Sequence, residues 1–205
     1  FGTVDPVVQV TTNDGVGHVA TCRPQASDDS DDGRLQCAMP AGQGVANVTV
    51  ATGSQTSNAL EWNFIPPTVD TVGPDTGNVA GGYPLRVSGA NFGTGEGGNS
   101  TVHVGTFLCA PILNWTHDTI FCSAPNGAGL DLQVVVTSGQ RASPLTNATF
   151  TYDRPVMSEP DAPYRGSAAG GDLIRINGAN LGPDADVRFG LPLPESVVVL
   201  AAAAD

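Results

Sequence analysis

Lysine is absent from this chain, and its eight basic residues are all arginine. Against them stand 20 acidic residues, which give a formal net charge of −12. A surface this negative repels the phosphate backbone of nucleic acids and the anionic headgroups of membranes. The charge therefore disfavours nucleic-acid binding before any motif is considered.

Long hydrophobic runs are also lacking. The longest, Val197 to Ala204, has eight residues, far fewer than the roughly 18 of a membrane-spanning helix. No membrane span is therefore predicted in this segment. No window shows the apolar stripe of an amphipathic helix, and 26 Gly with 16 Pro oppose long helices. Since 40% of the residues are hydrophobic, the chain can still build packed cores, and we predict an all-β fold.

The four cysteines fall into two pairs, Cys22 with Cys37 and Cys109 with Cys122. Neither pair has the close Cys-x2-4-Cys spacing or the neighbouring histidines of a metal site. Two local disulfides are the favoured interpretation, and they would place the protein in an oxidising compartment. The alternative is four buried free thiols in a cytosolic protein.

Four Asn-x-Ser/Thr sequons predict N-linked glycans, at Asn47, Asn99, Asn114 and Asn147. Around Asn47, Asn99 and Asn147 apolar and polar residues alternate, as they do on a strand with one buried face. The three asparagines have the outward parity, so we expect them to be exposed to solvent. Asn114 lies in an irregular stretch whose orientation the pattern does not give.

An internal repeat of about 88 residues runs through the chain. The segment Cys37–Gly44 (CAMPAGQG) returns as Cys122–Gly129 (CSAPNGAG). Likewise, Leu85–Gly93 (LRVSGANFG) returns as Ile174–Gly182 (IRINGANLG). The offset drifts slightly from one segment to the next, as expected for strands joined by loops of variable length.

The repeat unit is predicted to consist of short strands separated by Gly- and Pro-rich turns. In the middle repeat they fall at 67–73, 83–89, 101–105, 118–123, 131–138 and 147–153. Six or seven strands in about 90 residues are typical of a small β-sandwich. We therefore expect one complete domain at 66–154. A partial domain at 1–65 lacks its first strands, and another at 155–205 has only its first strands.

The middle repeat contains the pattern Pro67-Thr-Val-Asp-Thr-Val-Gly-Pro74, Gly81-Gly82, Leu85–Gly93, Cys109…Cys122-x-x-Pro125-x-Gly127 and Phe150-Thr-Tyr152. This pattern resembles the IPT/TIG domain, an immunoglobulin-like fold of plexins and transcription factors. The paired cysteines are similar to those of the versions in large extracellular proteins such as plexins and fibrocystin. The resemblance thus implies tandem immunoglobulin-like β-sandwiches, one complete and two partial, outside the cell or on its surface.

One acidic run is a weak candidate for a metal site. Asp28, Ser30, Asp32 and Gly33 match the first positions of an EF-hand calcium loop. The twelfth position, however, is Met39, which cannot supply the bidentate carboxylate, and no flanking helices are predicted. A solvated loop between Cys22 and Cys37 is the favoured interpretation, so no metal or other cofactor is expected.

Catalysis is not expected either, because His18, His103 and His117 are scattered and no triad can be argued from spacing. The leading hypothesis is a non-catalytic extracellular structural or adhesion segment, a semi-rigid stalk or surface fibre. Its partners would be protein, either other copies or other chains of a surface assembly. One alternative is an accessory domain of a secreted polysaccharide-acting enzyme. Another is a DNA-binding or dimerisation module, which the negative charge disfavours.

Overall fold

The structure, a computed structural model, describes residues 7–12, 19–22, 38–95, 99–158, 166–182, 185–189 and 198–200. These residues contain 19 β-strands and no helix, which confirms the all-β prediction. Among them, accordingly, there is no helix with the length and apolar character of a membrane span.

The first unit of the chain, which lies within residues 1–65, contains one antiparallel sheet. Its strands are β1 (Val7–Thr12), β2 (Val19–Cys22), β3 (Val45–Thr52), β4 (Gln55–Thr56) and β5 (Leu60–Asn63). They are ordered β2-β1-β3-β4, and β5 pairs with β3 as well. Val8, Val10 and Ala46 form the buried cluster of this sheet, with Phe64 packed against it.

The middle unit is a sandwich of two sheets. Its strands are β6 (Thr68–Gly73), β7 (Thr76–Gly77), β8 (Pro84–Ala90), β9 (Thr101–Val104), β10 (Phe107–Leu108), β11 (Ile112–Trp115), β12 (Thr119–Ser123), β13 (Leu132–Ser138), β14 (Arg141–Ala142) and β15 (Thr149–Tyr152). One sheet has the order β11-β12-β8-β6. The other has the order β10-β9-β13-β15-β7, with β14 paired to β13.

Strand alternation builds the core of this sandwich. Leu85 and Val87 on β8 are fully buried, and so are Val102 and Val104 on β9. These side chains meet because inward-facing residues recur at every second position of a strand. All six strands predicted for the middle repeat are present, each with bounds within one or two residues of the prediction.

The structure adds four strands that the sequence did not indicate: β7, β10, β11 and β14. Three of them have only two residues and carry no readable periodicity. In β11 the register shifts between Ile112 and Asn114, and Ile112, Leu113 and Asn114 are all exposed. A bulged, exposed edge strand has no alternation of burial, which is why this stretch looked irregular.

The sheet of the first unit corresponds to the β9-β13-β15 side of the sandwich. Val8 on β1 lies opposite Val50 on β3, as Val102 on β9 lies opposite Val136 on β13. The short strands β2 and β4 take the places of β10 and β14. Among the described residues of the first unit, no strand corresponds to the facing sheet, β6-β8-β12-β11.

Trp62 on β5 shows the effect of this difference. It pairs with the buried Ala46, so its side chain lies on the apolar face of the sheet, yet it is 47% exposed. The equivalent residue of the middle unit, Phe150, is fully buried. The same face is thus covered in the sandwich and partly open in the first unit.

The described strands of the third unit are short: β16 (Val156–Met157), β17 (Gly178–Ala179), β18 (Val187–Phe189) and β19 (Val198–Leu200). In the repeat Ile174 aligns with Leu85, which is fully buried on β8, but Ile174 is 56% exposed and lies outside any strand. In the middle unit the matching strand β8 pairs with both β6 and β12. The described part of the third unit offers only the first of these two neighbours.

Limited trypsinolysis can test these unit boundaries, because the repeat places arginine at equivalent positions, Arg86 on β8 and Arg175 in the third unit. Arg86 lies within a strand paired on both edges, whereas Arg175 lies outside any strand. Since cleavage requires local opening, we expect Arg175 to be cut well before Arg86, as read by mass spectrometry. Equal rates at the two arginines would contradict a complete domain at 66–154 that is followed by an incomplete unit.

Candidate functional site

One disulfide ties the two sheets of the sandwich together. Cys109 directly follows β10 and Cys122 lies in β12, so the bond passes through the core, and both residues are fully buried. Their Cα atoms are 5.7 Å apart. Of the other predicted pair, Cys22 ends β2, which occupies the place of β10, while Cys37 lies outside the described residues.

The Gly-Ala-Asn motif makes the same contact in two repeats. A Cβ atom on Gly89 would collide with the Thr68 carbonyl oxygen, and one on Gly178 would collide with the Val156 carbonyl oxygen. Glycine is therefore required where the strand of the motif passes the first strand of its unit. This contact explains why the glycine recurs in both copies of the motif.

The asparagine of this motif contacts the linker that precedes its unit. Asn91 and Asn180 both have positive φ, 61° and 55°, a conformation that asparagine tolerates better than most residues. The Asn91 side-chain amide donates a long hydrogen bond, 3.5 Å, to the Pro66 carbonyl. Asn180 donates one of 3.4 Å to the Arg154 carbonyl. Both linkers are thus held by the unit that follows them.

Gln43 is the centre of the joint between the first and middle units. It is only 2% exposed, although it lies in a loop of the first unit. Its Oε1 accepts hydrogen bonds from the backbone N–H groups of Thr94 (3.1 Å) and Gly95 (3.3 Å). Its Nε2 donates to the Ser100 hydroxyl at 3.2 Å. One side chain thus joins three residues of the middle unit to the first.

Ser138 completes this cluster from the end of β13. Its hydroxyl lies 3.1 Å from Gln43 Oε1 and 2.8 Å from the Phe92 carbonyl oxygen, so one proton is shared between two acceptors. Ser138 is itself 1% exposed. A buried amide is stable only when such partners are present, and losing them costs about 1–3 kcal/mol.

Two glycines bring the backbones of the units into direct contact beside Gln43. Gly44 and Gly139 both have positive φ, 69° and 54°. A Cβ atom on Gly44 would overlap the Gly139 carbonyl oxygen, so neither position accepts a larger residue without separating the units. At the exposed rim, Arg141 Nη1 donates to Asn63 Oδ1 at 3.0 Å. The joint is therefore close-packed around a fully bonded polar group.

Comparison with known proteins agrees with this fold. The IPT/TIG domain model matches residues 67–152, the stretch that forms the sandwich. Residues 67–152 are an IPT/TIG domain. Plexin-B3 of Homo sapiens is 31% identical over 78% of this chain, and fibrocystin-L of Mus musculus is 27% identical over 70%. The matches cover only 8% and 3% of those two proteins.

Two solved structures are also similar. The full extracellular region of plexin A4 has 20% identity and a TM-score of 0.42, over 65% of this chain and 14% of that one. A Bacteroides thetaiotaomicron protein of unknown function has 23% identity and a TM-score of 0.39, over 45% of this chain and 23% of that one.

The IPT/TIG domain and the unit before it present their sequons at the surface. Asn47, Asn114 and Asn147 are exposed, whereas Asn99 is half-buried. Exposure was predicted for Asn47 and Asn147 and is found. For Asn99 it was predicted as well, and the side chain is more enclosed than expected. Asn114, which the pattern could not orient, lies on the edge strand β11.

No metal site is found among the residues that the structure describes, in which no three His, Cys, Asp or Glu side chains could share an ion. The acidic run with Asp28 and Asp32 lies outside those residues.

Sequence reasoning missed the Gln43 cluster. The partners of Gln43 lie between 51 and 95 positions away, so no local pattern connects them. One signal was present, because the two copies of the loop differ at this position, which is Gln43 in one and Ala128 in the other.

Removing the disulfide should destabilise the IPT/TIG domain without unfolding it. For a closed loop of this size the chain-entropy model gives about 3 kcal/mol. We expect the Cys109→Ala/Cys122→Ala variant to lose about this free energy of unfolding, measured by hydrogen exchange of the β13 amides. In the same variant, amides of β3 in the first unit serve as the internal control. A loss at β3 equal to that at β13 would contradict a local role of the disulfide.

Proposed function

We propose that this chain is a non-catalytic extracellular spacer, a semi-rigid stalk or surface-fibre segment that acts through protein–protein contacts. The observation that carries the proposal is the joint at Gln43. Two units that meet through a buried, hydrogen-bonded side chain and touching glycine backbones are held at one angle. A chain built for length and direction needs such joints, whereas a chain of independent binding modules does not.

The extracellular location is supported by two further features. The Cys109–Cys122 disulfide persists in oxidising compartments and is rare in the cytosol. Three of four sequons present exposed asparagines, where a glycan can extend into solvent without disturbing a core. The partners that this location suggests are other copies of the chain or other chains of a surface assembly, together with N-linked glycans.

We further infer that residues 1–65 and 155–205 are partial IPT/TIG-like domains flanking a complete one at 66–154. The exposure of Trp62, at the position where Phe150 is buried, supports an incomplete sandwich in the first unit. Met157 supports the same interpretation for the third unit, because it is 71% exposed at the position where Val69 of the middle domain is buried. In each case the described residues have the apolar positions of the middle domain without the layer that covers them there.

Small-angle X-ray scattering tests the spacer function. We expect Gln43→Ala to broaden the distance distribution of the full chain, because the N–H groups of Thr94 and Gly95 would then need water and the joint would open. Gln55→Ala is the matched control, since it removes an exposed glutamine from β4 of the same unit. A Gln43→Ala profile identical to wild type would contradict a joint held by this side chain.

The extracellular location has a separate test. When the chain is secreted from eukaryotic cells behind a signal peptide, we expect glycans at the exposed sequons Asn47, Asn114 and Asn147. Removing N-glycans enzymatically should lower the mass of the chain. An Asn→Gln substitution at each site should lower it by the mass of one glycan. A secreted chain with none of these sites occupied would count against the location while leaving the role of the joint intact.

A further inference from the structure

The two sheets of the IPT/TIG domain end in strands that differ in how they are protected. One sheet ends in β11 and β6, and the other in β10 and β7. An edge strand offers unpaired backbone N–H and C=O groups to any strand that approaches, so natural proteins keep their edges short, charged or bent. β10 and β7 have only two residues each. β6 is longer, but it exposes Asp70 and Thr71, which are polar.

β11 lacks the polar protection of β6. It has four residues, and the sequence from Thr106 to Thr116 contains no charged residue. Ile112 and Leu113 on this strand are 40% and 55% exposed. The bulge in β11 bends the strand but leaves both side chains in solvent. An exposed, apolar edge of this kind is expected to pair with the edge of another chain unless something covers it.

The contact between units does not cover β11. In the joint that the structure describes, the middle domain bonds to Gln43 through Thr94, Ser100 and Ser138, and none of the described hydrogen bonds across this joint involves β11. The repeat places Ala128, the equivalent of Gln43, at the opposite end of the domain, again outside β11. Units that join in this way at either end therefore leave the β11 edge in solvent.

The sequon residue Asn114 projects from this edge. The next residue, Trp115, turns toward the domain, where its ring packs against Phe92 and its Nε1 donates to the Phe92 carbonyl at 3.0 Å. Since neighbouring residues of a strand face opposite ways, Asn114 faces outward, and it is exposed. A glycan at Asn114 would therefore stand in solvent directly beside the unpaired edge.

The other two exposed sequons do not lie on edges. Asn47 is in β3, opposite Thr11 of one neighbouring strand and Glu61 of the other. Asn147 precedes β15, which lies between β13 and β7. A strand that added to β11 would run about 4.8 Å from it. The first sugars at Asn114 would occupy the space that the side chains of such a strand need.

We propose that an N-glycan at Asn114 covers the β11 edge and prevents it from pairing with the β11 edge of a second copy. Such a pair would be symmetric, because each copy would offer the same strand to the other. The glycan does at β11 what the polar side chains do at β6. This inference rests on the extracellular location in the proposed function. It also deepens that function, since copies in a surface assembly would then meet through surfaces other than β11.

Sedimentation equilibrium of the secreted full chain tests the proposal. We expect Asn114 to be occupied, and we expect the weight-average mass of Asn114→Gln to rise toward twice that of the wild type at the same concentration. A substitution is preferable to an amidase that removes the glycan, because the amidase leaves an aspartate whose charge would itself protect the edge. Thr116 is kept, because its hydroxyl bonds to Asp118 and Thr119 in the turn after β11.

Two further variants identify the surface. Asn114→Gln/Leu113→Lys replaces the glycan by a charge and should restore the wild-type mass, because lysine is a common protection of free edges. Asn47→Gln is the matched control, since it removes a glycan from a strand that is paired on both sides, and it should leave the mass unchanged. Trypsin cleavage at Arg86 as slow as in the wild type shows that a variant is folded.

The outcomes separate this proposal from the proposed function. The proposal is overturned if Asn114 is bare while other sequons carry glycans, if Asn114→Gln keeps the wild-type mass, or if Leu113→Lys does not reverse the association. It is also overturned if Asn47→Gln associates to the same extent. These results leave the spacer function standing. If Asn114→Gln associates as expected but Gln43→Ala leaves the scattering profile unchanged, the spacer function fails and the role of the glycan stands.

Discussion

The structure depends on one constraint, that the apolar face of a β-sheet is stable in water only when another apolar layer covers it. In the IPT/TIG domain β8 and β13 face each other, and Leu85, Val87, Val134 and Val136 are almost wholly removed from solvent. In the first unit the equivalent face leaves Trp62 half exposed. The same pattern of residues is therefore a closed core in the middle domain and a partly open face among the described residues of the first unit.

Much of this fold can be predicted from the sequence, because its causes are local. Alternation located six strands of the middle domain, since side-chain direction reverses at every residue of a strand. The short separation of Cys109 and Cys122 in the sequence predicted the disulfide, and the structure contains it. Features without a local cause were missed. Two-residue strands such as β14 are too short to show alternation of polar and apolar residues, and in β11 the bulge interrupts that alternation.

The joint lies at the limit of such prediction. Nothing near Gln43 in the chain shows that its amide is buried, because Ser138 and Thr94 reach it only once the middle domain has folded. A glutamine between two glycines is typical of an exposed loop. Comparison of the two repeats distinguishes Gln43 from an ordinary loop residue. A polar residue that is present in only one copy of a loop indicates a partner outside that loop.

A buried polar joint differs in kind from a hydrophobic one. Apolar contact is non-directional, so two domains joined by it can slide with little loss of free energy. The hydrogen bonds of Gln43 are directional, and a small rotation would leave several buried groups unpaired at once. Such a joint is either closed in one geometry or open to water. In a tandem array, substitutions in the loop and in the turn that receives it can therefore set stiffness joint by joint, without touching either core.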